Sequence, residues 1–250
     1  MSLLFACGIM IPLLAITPAA FGADYPPIPA DLTTPVQQRL AVKGLDGMCK
    51  TWSRTKRGLT VLAVSIAWQT YEQLNQSCVQ YGTSNSSLTS QVCSSVSTTY
   101  PTSRTWANVV TLTGLAPATT YYYKIVSTNS SVDHFLSPRT PGDNTAFNVD
   151  IVIDLGLYGK DGYTTTKRDT IPHIQPELNH TTIGALASTV DDYEFVFHPG
   201  DFAYADDWYL TLDNLLDGEA AYQAILEKFY DQLAPISGRK LYMASPGNHE

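Results

Sequence analysis

Val149-Asp-Ile-Val-Ile-Asp154-Leu-Gly156 is an apolar run that ends on a carboxylate and a glycine, and the chain uses this device twice more. Phe195-Val-Phe precedes Gly200-Asp201-Phe-Ala-Tyr204, and Leu241-Tyr-Met-Ala precedes Gly247-Asn248-His249-Glu250. Short apolar runs of this kind read as parallel strands buried on both faces. Asp201 follows Asp154 by 47 residues, and Asn248 follows Asp201 by 47. That length accommodates a strand, a loop, a crossover helix and the next strand. Polar residues at the carboxyl ends of such strands face the crevice where open α/β sheets bind ligands. The pattern therefore predicts that Asp154, Asp201, Tyr204, Asn248 and His249 converge.

Two carboxylates, a phenol, an amide and an imidazole suit hard or intermediate cations, from Fe(III), Mn(II) and Mg(II) to Zn(II) and Fe(II). One carboxylate can bridge two metals, which sit roughly 3.5–4 Å apart in phosphatases and nucleases. Asp154-x-Gly156, Gly200-Asp201-x-x-Tyr204 and Gly247-Asn248-His249-Glu250 resemble the first three of five metal-binding motifs in the purple acid phosphatases. The longer string from Gly200 to Trp208 resembles the form found in fungal members. Metallophosphoesterases in general share the Asp-x-Gly, Gly-Asp and Gly-Asn-His pattern; the tyrosine three residues after Asp201 marks the purple branch. The family's remaining motifs, a Val-x-x-His and a Gly-His-x-His, lie beyond its Gly-Asn-His-Glu and are not in these 250 residues.

The resemblance implies a role for each residue. Asp154 is a terminal ligand of Fe(III), and Asp201 bridges the two metals. Tyr204 binds the iron as phenolate, and Asn248 gives its side-chain oxygen to a divalent partner (Zn, Fe or Mn). His249 is the catalytic histidine beside the phosphate or the leaving group. Gly156 lets backbone approach the metals closely. The implied reaction is hydrolysis of small phosphate monoesters at acidic pH, with a metal-bound hydroxide as nucleophile and a histidine as acid. The implied fold is an all-β fibronectin type III-like sandwich followed by an α/β metallophosphoesterase domain of four-layer α/β/β/α type, of which the chain holds the first part. With three family histidines missing, the chain alone is expected to bind the divalent metal poorly, to have little activity and to expose apolar surface. Two other readings stand beside this one: a phytase or phosphodiesterase on the same site, and a secreted, non-catalytic binding protein that uses the sandwich.

Composition narrows the classes. Hydrophobic content of 44% and charged content of 15% belong to a foldable globular chain, with room for one or two domains. A net charge of −8 and a pI near 5.0 argue against a nucleic-acid partner, which leaves a basic stripe. Residues 1–22 hold no charged side chain and end in small residues, as a secretory signal peptide does. Pro12 and Pro18 favour that reading over a membrane anchor. A secreted protein is expected, with N-glycan acceptors at Asn75, Asn85, Asn129 and Asn179. With Cys7 in the signal, Cys78 and Cys93 are the expected disulfide and Cys49 is left over, its candidate partner a cysteine beyond residue 250.

In chain order, residues 23–35 are a proline-rich, extended lead-in. Residues 36–140 carry β signals, with strand-like runs at 59–68 and 107–113, and Trp68 as a core anchor. Leu115-x-Pro117-x-Thr119-x-Tyr121-x-Tyr123-x-Ile125 resembles the fibronectin type III signature around its tyrosine corner, where a hydroxyl bonds back to nearby backbone. The Ser/Thr-rich run at 83–103 reads as a long loop. Residues 141–146 are the linker, and 147–250 the catalytic part. Within it, 181–190 is a weak helix, and Tyr222, Ile225, Leu226, Phe229 and Leu233 stripe a helix over 219–233 that stops near Gly238.

Overall fold

A computed structural model describes residues 25–43, 62–127, 129–157, 181–206 and 219–249. The signal segment, Cys49, Asn179, Asp207, Trp208 and Glu250 lie outside the described residues. The strands are β1 (Val36–Val42), β2 (Leu62–Thr70), β3 (Ser77–Gly82), β4 (Ser90–Ser94), β5 (Ser97–Thr98), β6 (Trp106–Leu115), β7 (Thr120–Ile125), β8 (Asp133–Leu136), β9 (Val149–Ile151), β10 (Phe195–Pro199) and β11 (Leu241–Ser245). The helices are α1 (Thr182–Ser188) and α2 (Glu219–Ser237).

The alternating strands make a sandwich. One sheet runs β4-β3-β7-β8, and facing it are β5, β6, β2 and β1 of a larger sheet. Their inward side chains, among them Leu40, Val64, Ile66, Trp68, Val79, Leu112, Tyr123 and Phe135, form one core. Tyr121 behaves as a corner tyrosine, its hydroxyl accepting the Ala116 N–H at 3.0 Å. The expected long loop at 83–103 is corrected: β4 and β5 lie inside it. Ser and Thr are compatible with strands, and a Cys78–Cys93 disulfide fixes β4 on β3 with the two cysteines directly opposite in register.

The larger sheet does not end with the sandwich. Its order is β5-β6-β2-β1-β11-β10-β9, so β1 pairs antiparallel with β2 and parallel with β11, at Leu40 and Leu241. Leu241 belongs to the sandwich core and Phe195 packs against it. Two domains in series, as the sequence reads, thus share one sheet. Further contacts reinforce the joint. The Tyr123 hydroxyl donates to the Gly238 carbonyl at 2.6 Å, and the Ser237 hydroxyl to the Gln38 carbonyl at 2.6 Å. Arg104 meets the buried Glu227 carboxylate at 2.6 Å, and Arg139, next to the linker, holds Glu194 through its Nε and Nη2.

In the parallel wing, β9, β10 and β11 pair in register: Phe195 opposite Val149 and Leu241, Phe197 opposite Ile151 and Met243. Residues alternate faces along each strand. Val152, Val196 and Tyr242 point toward α1 and α2, into a second core with Ile183, Leu186, Ile225, Phe229, Leu233 and Ile236. The opposite face carries Val149, Ile151, Ile153 and Phe197, all exposed. Thr181 caps α1 by accepting the Gly184 N–H at 2.9 Å. α2 runs past Leu233 through Pro235 to Ser237, longer than the stripe predicts. The Gly238 N–H closes it on the Ala234 carbonyl.

Candidate metal centre

The three polar motifs sit at the carboxyl ends of β9, β10 and β11, and Asp201 ties them together. Its N–H donates to Asp154 Oδ1 at 3.1 Å. Its carbonyl accepts the Leu155 N–H at 3.2 Å. Its Oδ1 accepts the N–H groups of Asn248 at 2.7 Å and His249 at 3.1 Å. One buried residue, 5% exposed, therefore holds the loops after all three strands. The Tyr204 hydroxyl also donates to its carboxylate. Burial pushes the Asp201 carboxyl up. The amides of His249 and Asn248 and the Tyr204 hydroxyl outweigh that and hold it below the usual aspartate range.

Two features show how closely this point is built. A Cβ on Gly247 would lie 1.8 Å from Asp201 Oδ1, so only glycine lets the third loop seat on that carboxylate. Asp154 and Tyr204 have φ of 56° and 52°, left-handed values that cost non-glycine residues of the order of 1–3 kcal/mol. Among the described residues only Gln37 and Ala118 share that state without being glycine. Strain at two predicted ligands is what a site over-determined by its surroundings displays.

The structure thus brings together Asp154, Asp201, Tyr204 and the Asn248–His249 backbone. The Tyr204 and His249 rings lie 4.7 Å apart between centroids. His249 Nδ1 is 2.8 Å from Asp206 Oδ2. Asp206, five residues after Asp201 and inside the Gly200–Trp208 string, has no role assigned by the sequence; its contact with His249 appears only in the fold. Two further sites show no link with this cluster: the disulfide cysteines are in the sandwich, and Asn75, Asn85 and Asn129 are exposed on it.

Does the donor set fit a metal? Among the described residues no three of His, Cys, Asp and Glu gather as a binding group. The candidate set draws instead on a phenol and an amide. The Tyr204 proton that bridges to Asp201 lies between two anionic-capable oxygens, where a hard cation can take its place. Oxygen donors packed against glycine backbone, with two loops strained to present them, fit one such ion. Of Asn248 the described contact with this cluster is its backbone N–H.

Among the described residues a cleft of about 500 Å³ lies away from this chemistry. Phe147, Asn148, Tyr193, Glu194, Arg239 and Lys240 line it, at the amino ends of the same three strands.

Comparison with known proteins places the chain in a family. Residues 35–140 match the family model "Purple acid Phosphatase, N-terminal domain". The chain is 60% identical over 246 residues to Acid phosphatase A of Cryphonectria parasitica, an alignment covering 96% of this chain and 45% of the relative. It is 33% identical over 116 residues to a nucleotide pyrophosphatase/phosphodiesterase of Hordeum vulgare, 46% of this chain and 26% of that protein. The chain thus spans less than half the length of these relatives. In fold it resembles a purple acid phosphatase from yellow lupin (Lupinus luteus) seeds, with a TM-score of 0.55 and 23% identity over 87% of this chain and 36% of that one. The chain belongs to the purple acid phosphatase family, and it corresponds to the family's N-terminal portion.

Proposed function

We propose that this chain is part of a secreted acid phosphatase that hydrolyses phosphate monoesters at a dinuclear Fe(III)–M(II) centre. The supporting observation is the Asp201 node, through which one carboxylate and its backbone gather the loops that carry Asp154, Tyr204 and Asn248. Asp154, Asp201 and Tyr204 would hold the ferric ion; Asp201 and Asn248 would begin the site of the divalent one, with Zn, Fe or Mn as its occupant. When bound, the metals supply Lewis acidity toward phosphate and water at acidic pH.

The chain's own residues do the rest. His249 commits Nδ1 to Asp206, so it would hand a proton to the leaving oxygen from Nε2. Asp206 stabilises the imidazolium form needed for that donation. Neutral Asn248 adds a donor without adding negative charge before an anionic substrate. The exposed face of Val149, Ile151, Ile153 and Phe197 fits the second sheet of a four-layer metallophosphoesterase domain, supplied by sequence outside these residues. Exposed sequon asparagines and the disulfide in the sandwich agree with secretion.

Metal analysis and activity of this chain and of a C-terminally extended form test the proposal. The extended form is expected to carry one iron and one divalent ion and to cleave p-nitrophenyl phosphate; the chain alone is expected to carry less metal and little activity. Equal activity of the two would sink the incomplete-site reading, and an extended form without iron would sink the metal assignment. The barley relative's name favours a second reading, phosphodiester cleavage at the same site. Faster turnover of bis-p-nitrophenyl phosphate than of the monoester would select it.

A further inference from the structure

His198 belongs to no motif, yet it is fully buried and stands on β10 three residues before Asp201. Its Nε2 lies 3.0 Å from the Asp201 carbonyl oxygen, and its Nδ1 lies 2.7 Å from the Tyr242 hydroxyl on β11. A carbonyl can only accept, so Nε2 carries a hydrogen and donates it; in the neutral ring Nδ1 then accepts from Tyr242. Burial holds the Tyr242 phenol well above its usual range, so it keeps the proton it donates. The Phe202 ring meets the imidazole edge-on at 4.9 Å between centroids, which limits its rotation. The same Asp201 carbonyl takes the Leu155 N–H, while the Asp201 N–H is held by Asp154. Both peptide groups that flank the Asp201 Cα are thus anchored.

We infer that His198, oriented by Tyr242, is the positioning residue for Asp201: together they bind β10 to β11 behind the site and fix the backbone from which the Asp201 carboxylate reaches the amides of Asn248 and His249. The inference deepens the proposed metal reading, on which its ligand-binding consequence rests; its backbone consequence stands on the hydrogen bonds alone. Outer partners of this kind change metal affinity by about 10–100-fold when removed. His198→Phe keeps a ring and loses both nitrogens. His198→Gln restores a donor near the Asp201 carbonyl. Tyr242→Phe removes only the hydroxyl that donates to Nδ1.

The test measures two properties of the 250-residue chain and these three variants. The first is hydrogen exchange of the Leu155, Asn248 and His249 amides without metal. The second is the visible charge-transfer band on titration with ferric nitrilotriacetate. His198→Phe is expected to speed exchange at those three amides by about tenfold and to weaken ferric binding by about 10–100-fold. His198→Gln should recover part of both, and Tyr242→Phe should fall between. Unchanged exchange at the three amides in both His198→Phe and Tyr242→Phe overturns the inference. So does a uniform loss of protection across the wing with glutamine no better than phenylalanine, which is a packing effect. If the unsubstituted chain gives no ferric band but the exchange changes follow the expected order, positioning stands and the ligand reading of this chain fails.

Discussion

The sandwich and the parallel wing share a sheet but differ in how completely they are built. In the sandwich both sheets cover each other, and Leu40, Val64, Ile66 and Leu112 are at 0% exposure. Several of its buried polar groups are paired, although Trp68 Nε1 is not: the Ser77 hydroxyl donates to Asn108 Oδ1, and the Asn108 amide donates to the Thr70 hydroxyl oxygen. Among the described residues, the wing covers one face with α1 and α2, while the other is exposed, with Ile151 and Ile153 at 61% and 57% exposure. Parallel strands are ordinarily covered on both faces. The wing also holds the two strained aspartate and tyrosine residues of the candidate centre. Core packing and the candidate chemistry are thus divided between two regions that are joined through one sheet.

The joint is where the comparison breaks most easily. Glu227 is 2% exposed and depends on Arg104, so Arg104→Met would strand a buried carboxylate at a cost of about 3 kcal/mol. Urea unfolding is expected to shift to lower midpoint and to separate wing from sandwich; an unchanged single transition would show that the Arg104–Glu227 pair contributes nothing to the joint. Next in size is Gly247→Ala, which forces a methyl into the Asp201 carboxylate and costs about 1–3 kcal/mol by overpacking. Amide spectra should change in the wing only, and ferric binding should be lost.

A pH effect sharpens the picture further. Burial, with help from Glu227 and against Gln37 and Arg104, raises the Asp231 carboxyl to about 6. A raised folded-state pKa gives stability that is full below the unfolded value, near 3.8, and is lost as pH climbs through about 6. Thermal melts from pH 4 to 7 should fall accordingly, and Asp231→Asn should flatten that slope; an unaltered slope would place the titration elsewhere. The smallest effect is expected from Ile151→Thr with Ile153→Thr. Both side chains face solvent, so stability should move by about 0.5 kcal/mol or less. Binding of a hydrophobic dye should drop, and no drop would mean that the bare face is covered in solution.

The wing is more legible than the sandwich, because parallel strands write themselves as apolar runs, although one face of these strands, with Ile151 and Ile153, is exposed where the pattern predicts burial. Val149–Ile151, Phe195–Pro199 and Leu241–Ser245 pair as their pattern predicts. β4 and β5 were hidden by serine and threonine, whose strand character depends on the neighbours they find. The β1–β11 contact carried no local signal, since pairing between residues so distant in sequence is a property of packing. At the site, residues with a stated chemical pattern were readable, while Asp206 and His198 act only through geometry and were not.

The Leu40–Leu241 pairing also bears on how the protein is made. These partners are about 200 residues apart, a separation that slows the search for native contacts. On the ribosome β1 and β2 emerge early, but the outer edge of β1 has no strand to receive until β11 follows. At about 5–20 residues per second that interval is roughly 10–40 s. During it the nascent chain presents an open edge, the kind of surface that neighbouring chains can join.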